Sequence, residues 1–174
     1  MKKKSKKIGI LGGTFDPPHA GHLNIAKISL KKFKLNNLIW IVTKQNPLKK
    51  KPLLNIKTRM LLSKDITKNQ KKIVVKSFDD KVKSRNTFAL LNYLKKKRKQ
   101  TKLFFIIGAD NFVNFHKWSK WKKIPQLAKI VVFARQNYSA KALDSTASKK
   151  LKKNDWVYIN YKKMNISSSL IRKF

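Results

Sequence analysis

The sequence predicts a single doubly wound α/β domain, Rossmann-like, with a mainly parallel sheet, and three observations carry that prediction. Six short apolar runs rich in isoleucine and valine recur along 174 residues. Patterns at helical spacing separate them, and a segment that begins with a glycine pair directly after the first run opens the first helix. Short apolar runs bounded by turn or charged residues suit strands buried on both faces. Their alternation with helices suits a parallel sheet covered on both sides. The whole chain, 1–174, is expected to form one domain, because 41% hydrophobic content over this length fills one core and not two. Residues 1–6 read as a basic N-terminal arm.

The expected strands are Ile8–Leu11, Leu38–Thr43, Ile73–Val75, Leu103–Ile107, Ile130–Phe133 and Trp156–Ile159. Leu23, Ala26, Leu30 and Phe33 recur at helical spacing and form the apolar stripe of a first helix, with Pro18 suited to its opening turn. A second helix follows Asn55 as N-cap and runs through Met60, Leu61 and Leu62 towards Ile66. A third spans Thr87 to about Lys97, with Phe88, Leu91 and Leu94 on one face. Asp110 to Leu127 reads as two short helices around Lys117, broken by Pro125. Ser139 to Asn154 is polar and lysine-rich and reads as a surface segment with a modest helix.

Composition narrows the chemistry. There is no cysteine, so disulfides and thiolate-held metals are excluded. The basic start leads into too few apolar residues for a secretory signal, and no run approaches the ~20 residues that span a bilayer. A cytoplasmic protein without membrane association is expected. The formal charge of +37 attracts polyanions, so non-specific binding to them is a partner to consider. Of 44 basic residues, however, only Arg59, Arg85, Arg98, Arg135 and Arg172 are arginine, and bidentate recognition of phosphates and bases favours arginine. Lysine spread over solvated surface accounts for most of the excess, and the field still steers anionic substrates inward.

The densest signal is Gly12-Gly13-Thr14-Phe15-Asp16-Pro17-Pro18-His19-Ala20-Gly21-His22. The glycines let backbone approach a ligand, and the helix start offers N–H groups to an anion. His19 and His22, three apart, share a face and can donate to oxygens where charge develops in phosphoryl transfer. The segment lacks the Gly-Lys-Ser/Thr of a Walker A loop and the spacing of a dinucleotide fingerprint. A zinc site is weak, because only Asp16 is added to the two histidines.

Further on, Gly108-Ala109-Asp110 puts a carboxylate at the carboxyl end of a strand, where it can meet ribose hydroxyls or cap a helix. Trp118 and Trp121 read from spacing alone as core. Ile166-Ser167-Ser168-Ser169-Leu170-Ile171-Arg172 gathers hydroxyls and a guanidinium at a helix start, either an anion site or an ordinary serine cap.

The first segment resembles the His-x-Gly-His signature of the nucleotidyltransferase superfamily. It resembles more closely the Gly-Gly-Thr-Phe-Asp-Pro-x-His-x-Gly-His of the bacterial nicotinate-nucleotide adenylyltransferases. The last is similar to that family's Ile-Ser-Ser-Thr-x-Ile-Arg, with Ser169 in place of threonine. Four motif blocks in order, from Ile8 to Arg172, share the resemblance. It implies transfer of the adenylyl group of ATP to nicotinate mononucleotide, giving nicotinate adenine dinucleotide and pyrophosphate, with Mg2+ carried by ATP and no protein-bound metal. It implies His19 and His22 as catalytic. Gly12, Gly13, Thr14, Phe15, Gly21, Lys44, Gly108, Asp110, Ile166, Ser168, Ser169 and Arg172 are then expected around ATP and its phosphates, Lys49 being a second lysine near them. Thr87, Trp118 and Arg135 are expected on the acceptor, Trp118 stacking on its pyridine ring.

Ala89 and Leu90 depart from the family's Asp-Thr at that place, which bears on acceptor binding. The sequence ends at Phe174, where many relatives continue, so a short last helix is expected. The alternatives are a related adenylyltransferase acting on nicotinamide mononucleotide or phosphopantetheine, and a basic polyanion-binding protein on this fold. Trp118 with Thr87 favours a flat aromatic acceptor over a pantetheine arm, and a carboxylate gains more than an amide from so positive a field.

Overall fold

The computed structural model describes residues 5–46, 48, 50–82, 84, 86–161 and 167–172. Strands β1 (Lys6–Gly13), β2 (Asn37–Val42), β3 (Ile73–Lys76), β4 (Thr101–Gly108), β5 (Ala128–Phe133) and β6 (Trp156–Ile159) form one sheet in the order β3-β2-β1-β4-β5-β6. Every pairing among them is parallel. The connecting helices are α1 (Ala20–Lys32), α2 (Ile56–Thr67), α3 (Asp79–Val82), α4 (Thr87–Lys97), α5 (Ala109–Val113), α6 (Ser139–Leu143), α7 (Thr146–Lys150) and α8 (Ser168–Ile171).

The strands are apolar throughout because both faces are covered. Ile39, Ile41, Phe105 and Ile107 point into one layer, where Leu91 and Leu94 of α4, Phe112 of α5, Ala142 and Ala147 pack. Leu38, Trp40, Val42, Phe104 and Ile106 point into the other, against Ala26 of α1 and, at its margin, Met60 and Ile66 of α2. Period-two alternation along one strand thus fills two cores at once. The predicted α1 stripe holds: Ala26 is fully buried, and Leu23, Leu30 and Phe33 pack on the same core. Asn55 caps α2 as expected, its side chain accepting from the Thr58 amide at 2.9 Å.

The structure corrects several local expectations. Lys6, assigned to the arm, is the first residue of β1. Thr43 lies just beyond β2. Pro18 precedes the first helix instead of opening it, because His19 is extended (φ −149°) and serves as the N-cap. The Asp110–Leu127 region forms α5 followed by 3-10 turns at Phe115–Lys117 and Trp121–Gln126, and Pro125 sits inside the second turn. Ser139–Asn154 carries two short helices whose Ala142 and Ala147 are fully buried, so it is part of the core wall. The α3 turn was not anticipated. No helix among the described residues is long and apolar enough to cross a membrane.

Candidate active site

Strand order reverses between β1 and β4, and a crevice forms above the carboxyl ends of strands at such a switch point. Both principal motifs open there. Gly12 and Gly13 end β1, and the Gly13 carbonyl accepts the Thr43 amide at 2.9 Å, which ties the head of β1 to that of β2. A Cβ placed on Gly12 would meet nothing within 4 Å, so that edge of the loop is open to a ligand.

The two histidines are in contact. Their rings stack with centroids 3.7 Å apart and planes inclined by 29°. His22 Nδ1 accepts the His19 amide at 3.3 Å. An acceptor Nδ1 puts the proton of the neutral ring on Nε2, which becomes a donor. The His19 carbonyl takes the amides of His22 and Leu23, leaving the first amides of α1 without an intrahelical acceptor. His19 is only 8% exposed, and neither of its ring nitrogens has a hydrogen-bond partner among the described residues. Buried polar atoms are normally paired, so these ring nitrogens stand out among the described residues as candidates for ligand contact.

Burial, and secondarily the positive charge of Arg135, pulls the His19 pKa down from 6.5 to about 4. The folded protein therefore holds His19 neutral where the unfolded chain is protonated. His19's contribution to stability is full above about pH 6.5 and is lost as pH falls towards 4, a difference on the order of 2–3 kcal/mol. Denaturation midpoints measured between pH 7 and 4 should fall more steeply for the parent chain than for His19→Gln. Parallel slopes would return His19 to its ordinary pKa.

At the head of β4, Asp110 pairs with Arg135, from the end of β5, at 3.1 Å. Gly108 makes that possible, since a Cβ there would lie 2.5 Å from Asp110 Oδ1. The C-terminal motif folds back onto the first. Ser168 Oγ donates to the Pro17 carbonyl at 2.8 Å, Arg172 donates to the Asp16 carbonyl, and Arg172 Nη2 donates to Ser169 Oγ at 3.1 Å. Residues about 150 positions apart in sequence thus form one wall.

Residues 10–174 match the family model described as cytidylyltransferase-like. The chain belongs to this family. A Pelagibacter ubique protein named "Probable nicotinate-nucleotide adenylyltransferase" is 48% identical over 99% of the chain and 96% of that protein. One of the same name from a Ruegeria species is 31% identical over 95% and 96%. Among solved structures, Plasmodium falciparum nicotinic acid mononucleotide adenylyltransferase complexed with NaAD superimposes with a TM-score of 0.77, at 24% identity, over 97% of the chain and 83% of the other. The cytidylyltransferase-like chain thus has its fold supported by structure as well as by sequence.

Within this frame, Gly12, Gly13, Thr14, His19, Gly21, His22, Ser168, Ser169 and Arg172 come together around one loop, with Gly108, Asp110 and Arg135 beside them. Phe15 is buried in left-handed backbone (φ 49°), its ring held between Trp40 at 4.5 Å and the edge of the His22 ring at 4.9 Å, so it supports His22 from behind. Lys44 bonds Asp80 at 2.8 Å on the exposed surface. Thr87 begins α4 behind an Asn86 cap. Trp118 packs on Phe115 at 5.2 Å and on Phe105 at 6.1 Å. Lys120 Nζ lies 5.2 Å over the Phe88 ring, so the start of α4 adjoins the Trp118 segment. Trp121 packs against the core as expected. Ile166 and Lys49 lie outside the described residues.

Two residues central to this architecture were missed. Arg59, 2% exposed, donates to four main-chain carbonyls, and Asp16, 5% exposed, accepts two amides. The available signal was Arg59 on the same helical face as Ser63 and Thr67, a charge on the buried side of α2.

Proposed function

We propose that the chain transfers the adenylyl group of ATP to nicotinate mononucleotide, producing nicotinate adenine dinucleotide and pyrophosphate. The observation that carries this reading is the docking of Ser168 and Arg172 onto the Asp16–Pro17 turn that leads to the stacked histidines. Two sets of anion-binding groups then face one crevice, as a triphosphate and an acceptor phosphate require. The names of the 48% and 31% identical relatives support the same substrates.

In this reading an oxygen of the acceptor phosphate forms the new bond to the α-phosphorus of ATP. The bond from that phosphorus to the bridging oxygen breaks, and its electron pair leaves on pyrophosphate. No covalent enzyme intermediate is needed, so catalysis consists of alignment and charge stabilisation. His22, through Nε2–H, and the neutral His19 ring donate to phosphate oxygens. The first amides of α1, Ser169 and Arg172 hold the rest of the chain of phosphates. Asp110 meets the ribose hydroxyls, while Arg135, Thr87 and Trp118 receive the acceptor. Lys44 can exchange its exposed pairing with Asp80 for a phosphate, since such pairs are worth little. Mg2+ enters as part of the substrate, held chiefly by phosphate oxygens and water. The cytoplasm is the proposed place of action, and the lysine field gathers anionic substrates.

The reverse reaction tests this directly. Labelled pyrophosphate with nicotinate adenine dinucleotide and Mg2+ should yield labelled ATP, and labelled pyrophosphate with ATP alone should exchange nothing. Exchange without the dinucleotide would require an adenylyl-enzyme and overturn the direct attack. No labelled ATP from the dinucleotide would overturn the substrate assignment.

A further inference from the structure

Arg59 is the largest buried charge in the described structure, and the mechanism above does not use it. Its guanidinium spends its donors on main-chain carbonyls from three separate loops. Nε donates to Leu54 at 3.0 Å, Nη1 to Thr43 at 2.7 Å and to Thr14, and Nη2 to Lys44 at 3.1 Å. Thr14 lies in the histidine loop, Thr43 and Lys44 follow β2, and Leu54 leads into α2. Asp16 holds the same Leu53–Leu54 segment through its amides, where Arg59 holds it through a carbonyl. Its carboxylate accepts the Leu53 amide at 2.8 Å and the Leu54 amide at 2.9 Å, and lies 3.6 Å from the Arg172 guanidinium. Within that segment Leu53 is 76% exposed and lines a cleft of about 450 Å³ with Lys44, Pro52 and Arg59.

Burying a guanidinium is costly unless every donor is satisfied in good geometry. A hydrocarbon side chain of similar volume would fill the space under α2 without that cost. What it could not do is fix three loop backbones relative to one another. Lysine could not either, since its three donors radiate from one atom whereas arginine presents five in a planar fork.

We propose that Arg59 and Asp16 are positioning residues for adenylyl transfer, clamping Leu53–Leu54 between them and thereby setting the histidine loop, the end of β2 and the C-terminal motif in one register. The proposal rests on the functional reading above for its kinetic consequence, and on the hydrogen bonds alone for its structural one.

The experiment measures both. In the free protein, hydrogen exchange at the Leu53 and Leu54 amides should be about 10- to 100-fold faster in Asp16→Asn and in Arg59→Lys, the effect of losing a charge-assisted hydrogen bond. In turnover, each variant should lose about 100-fold in kcat, as small misplacements of a site do, with much smaller changes in KM for ATP. The double variant should be little worse than the poorer single one, since both residues act on one segment. Thermal midpoints identify any variant that fails to fold, and Asp16→Asn, which keeps shape and leaves Arg59 in place, is the milder probe. Unchanged exchange in the folded single variants would overturn the clamp. Exchange that rises while kcat stays at the parent value would overturn its role in the reaction. If the parent chain formed no dinucleotide, exchange would still decide the clamp separately from the substrate assignment.

Discussion

Replacing His22 by alanine should lower kcat by about 10²- to 10³-fold, the usual loss for a donor aimed at developing charge, while the KM for ATP moves little. The reason is geometric. His22 Nδ1 is occupied by the His19 amide and its ring is stacked on His19, so the ring is fixed before substrate arrives. A fixed donor strengthens its contact as charge builds on the phosphate oxygens, and contacts made mainly in the transition state appear in kcat. His22→Asn, which can still donate, should recover part of the loss. Steady-state kinetics on folded variants check this, and a normal kcat in His22→Ala would remove His22 from the mechanism.

Replacing Trp118 by alanine should act on the other parameter, raising KM for the nicotinate acceptor by about 10- to 100-fold, as lost aromatic stacking on a base does. KM for ATP should hold. Trp118 also packs on Phe105 and Phe115, so a lower thermal midpoint is expected alongside. Trp118→Phe separates the two effects by keeping an aromatic face. A folded Trp118→Ala variant with an unchanged acceptor KM would assign this tryptophan wholly to the core.

These two predictions draw on parts of the protein that were unequally legible in its sequence. The sheet was readable because strands covered on both faces must be apolar at every position, so Ile8–Leu11 and Leu103–Ile107 stand out as unbroken runs. The histidine motif was readable because glycines, prolines and histidines at fixed spacing between a strand and a helix have few other uses. Pro18 misled by two residues: the extended His19 took the cap position, and nothing in the local sequence separates the two placements. Ser139–Asn154 hid two core alanines among lysines, since a small buried residue carries little hydrophobic signal.

Arg59 and Asp16 were harder to read, for a stronger reason. Their partners are main-chain groups, which every residue carries, and Arg59 reaches a carbonyl 45 positions away. Side-chain identity records charge pairs and apolar stripes; it does not record a guanidinium satisfied by backbone. Lys44 shows the converse, because its exposed bond to Asp80 depends on the α3 turn, a four-residue element with no periodicity to read.

The most direct test of the whole account is pyrophosphate release by the purified protein with Mg-ATP, supplied in separate reactions with nicotinate mononucleotide, nicotinamide mononucleotide and phosphopantetheine. Release should be rapid with nicotinate mononucleotide, at a kcat/KM well above that of the other two. Equal or greater turnover with either of the others would contradict the acceptor assignment, and silence with all three would contradict adenylyl transfer itself.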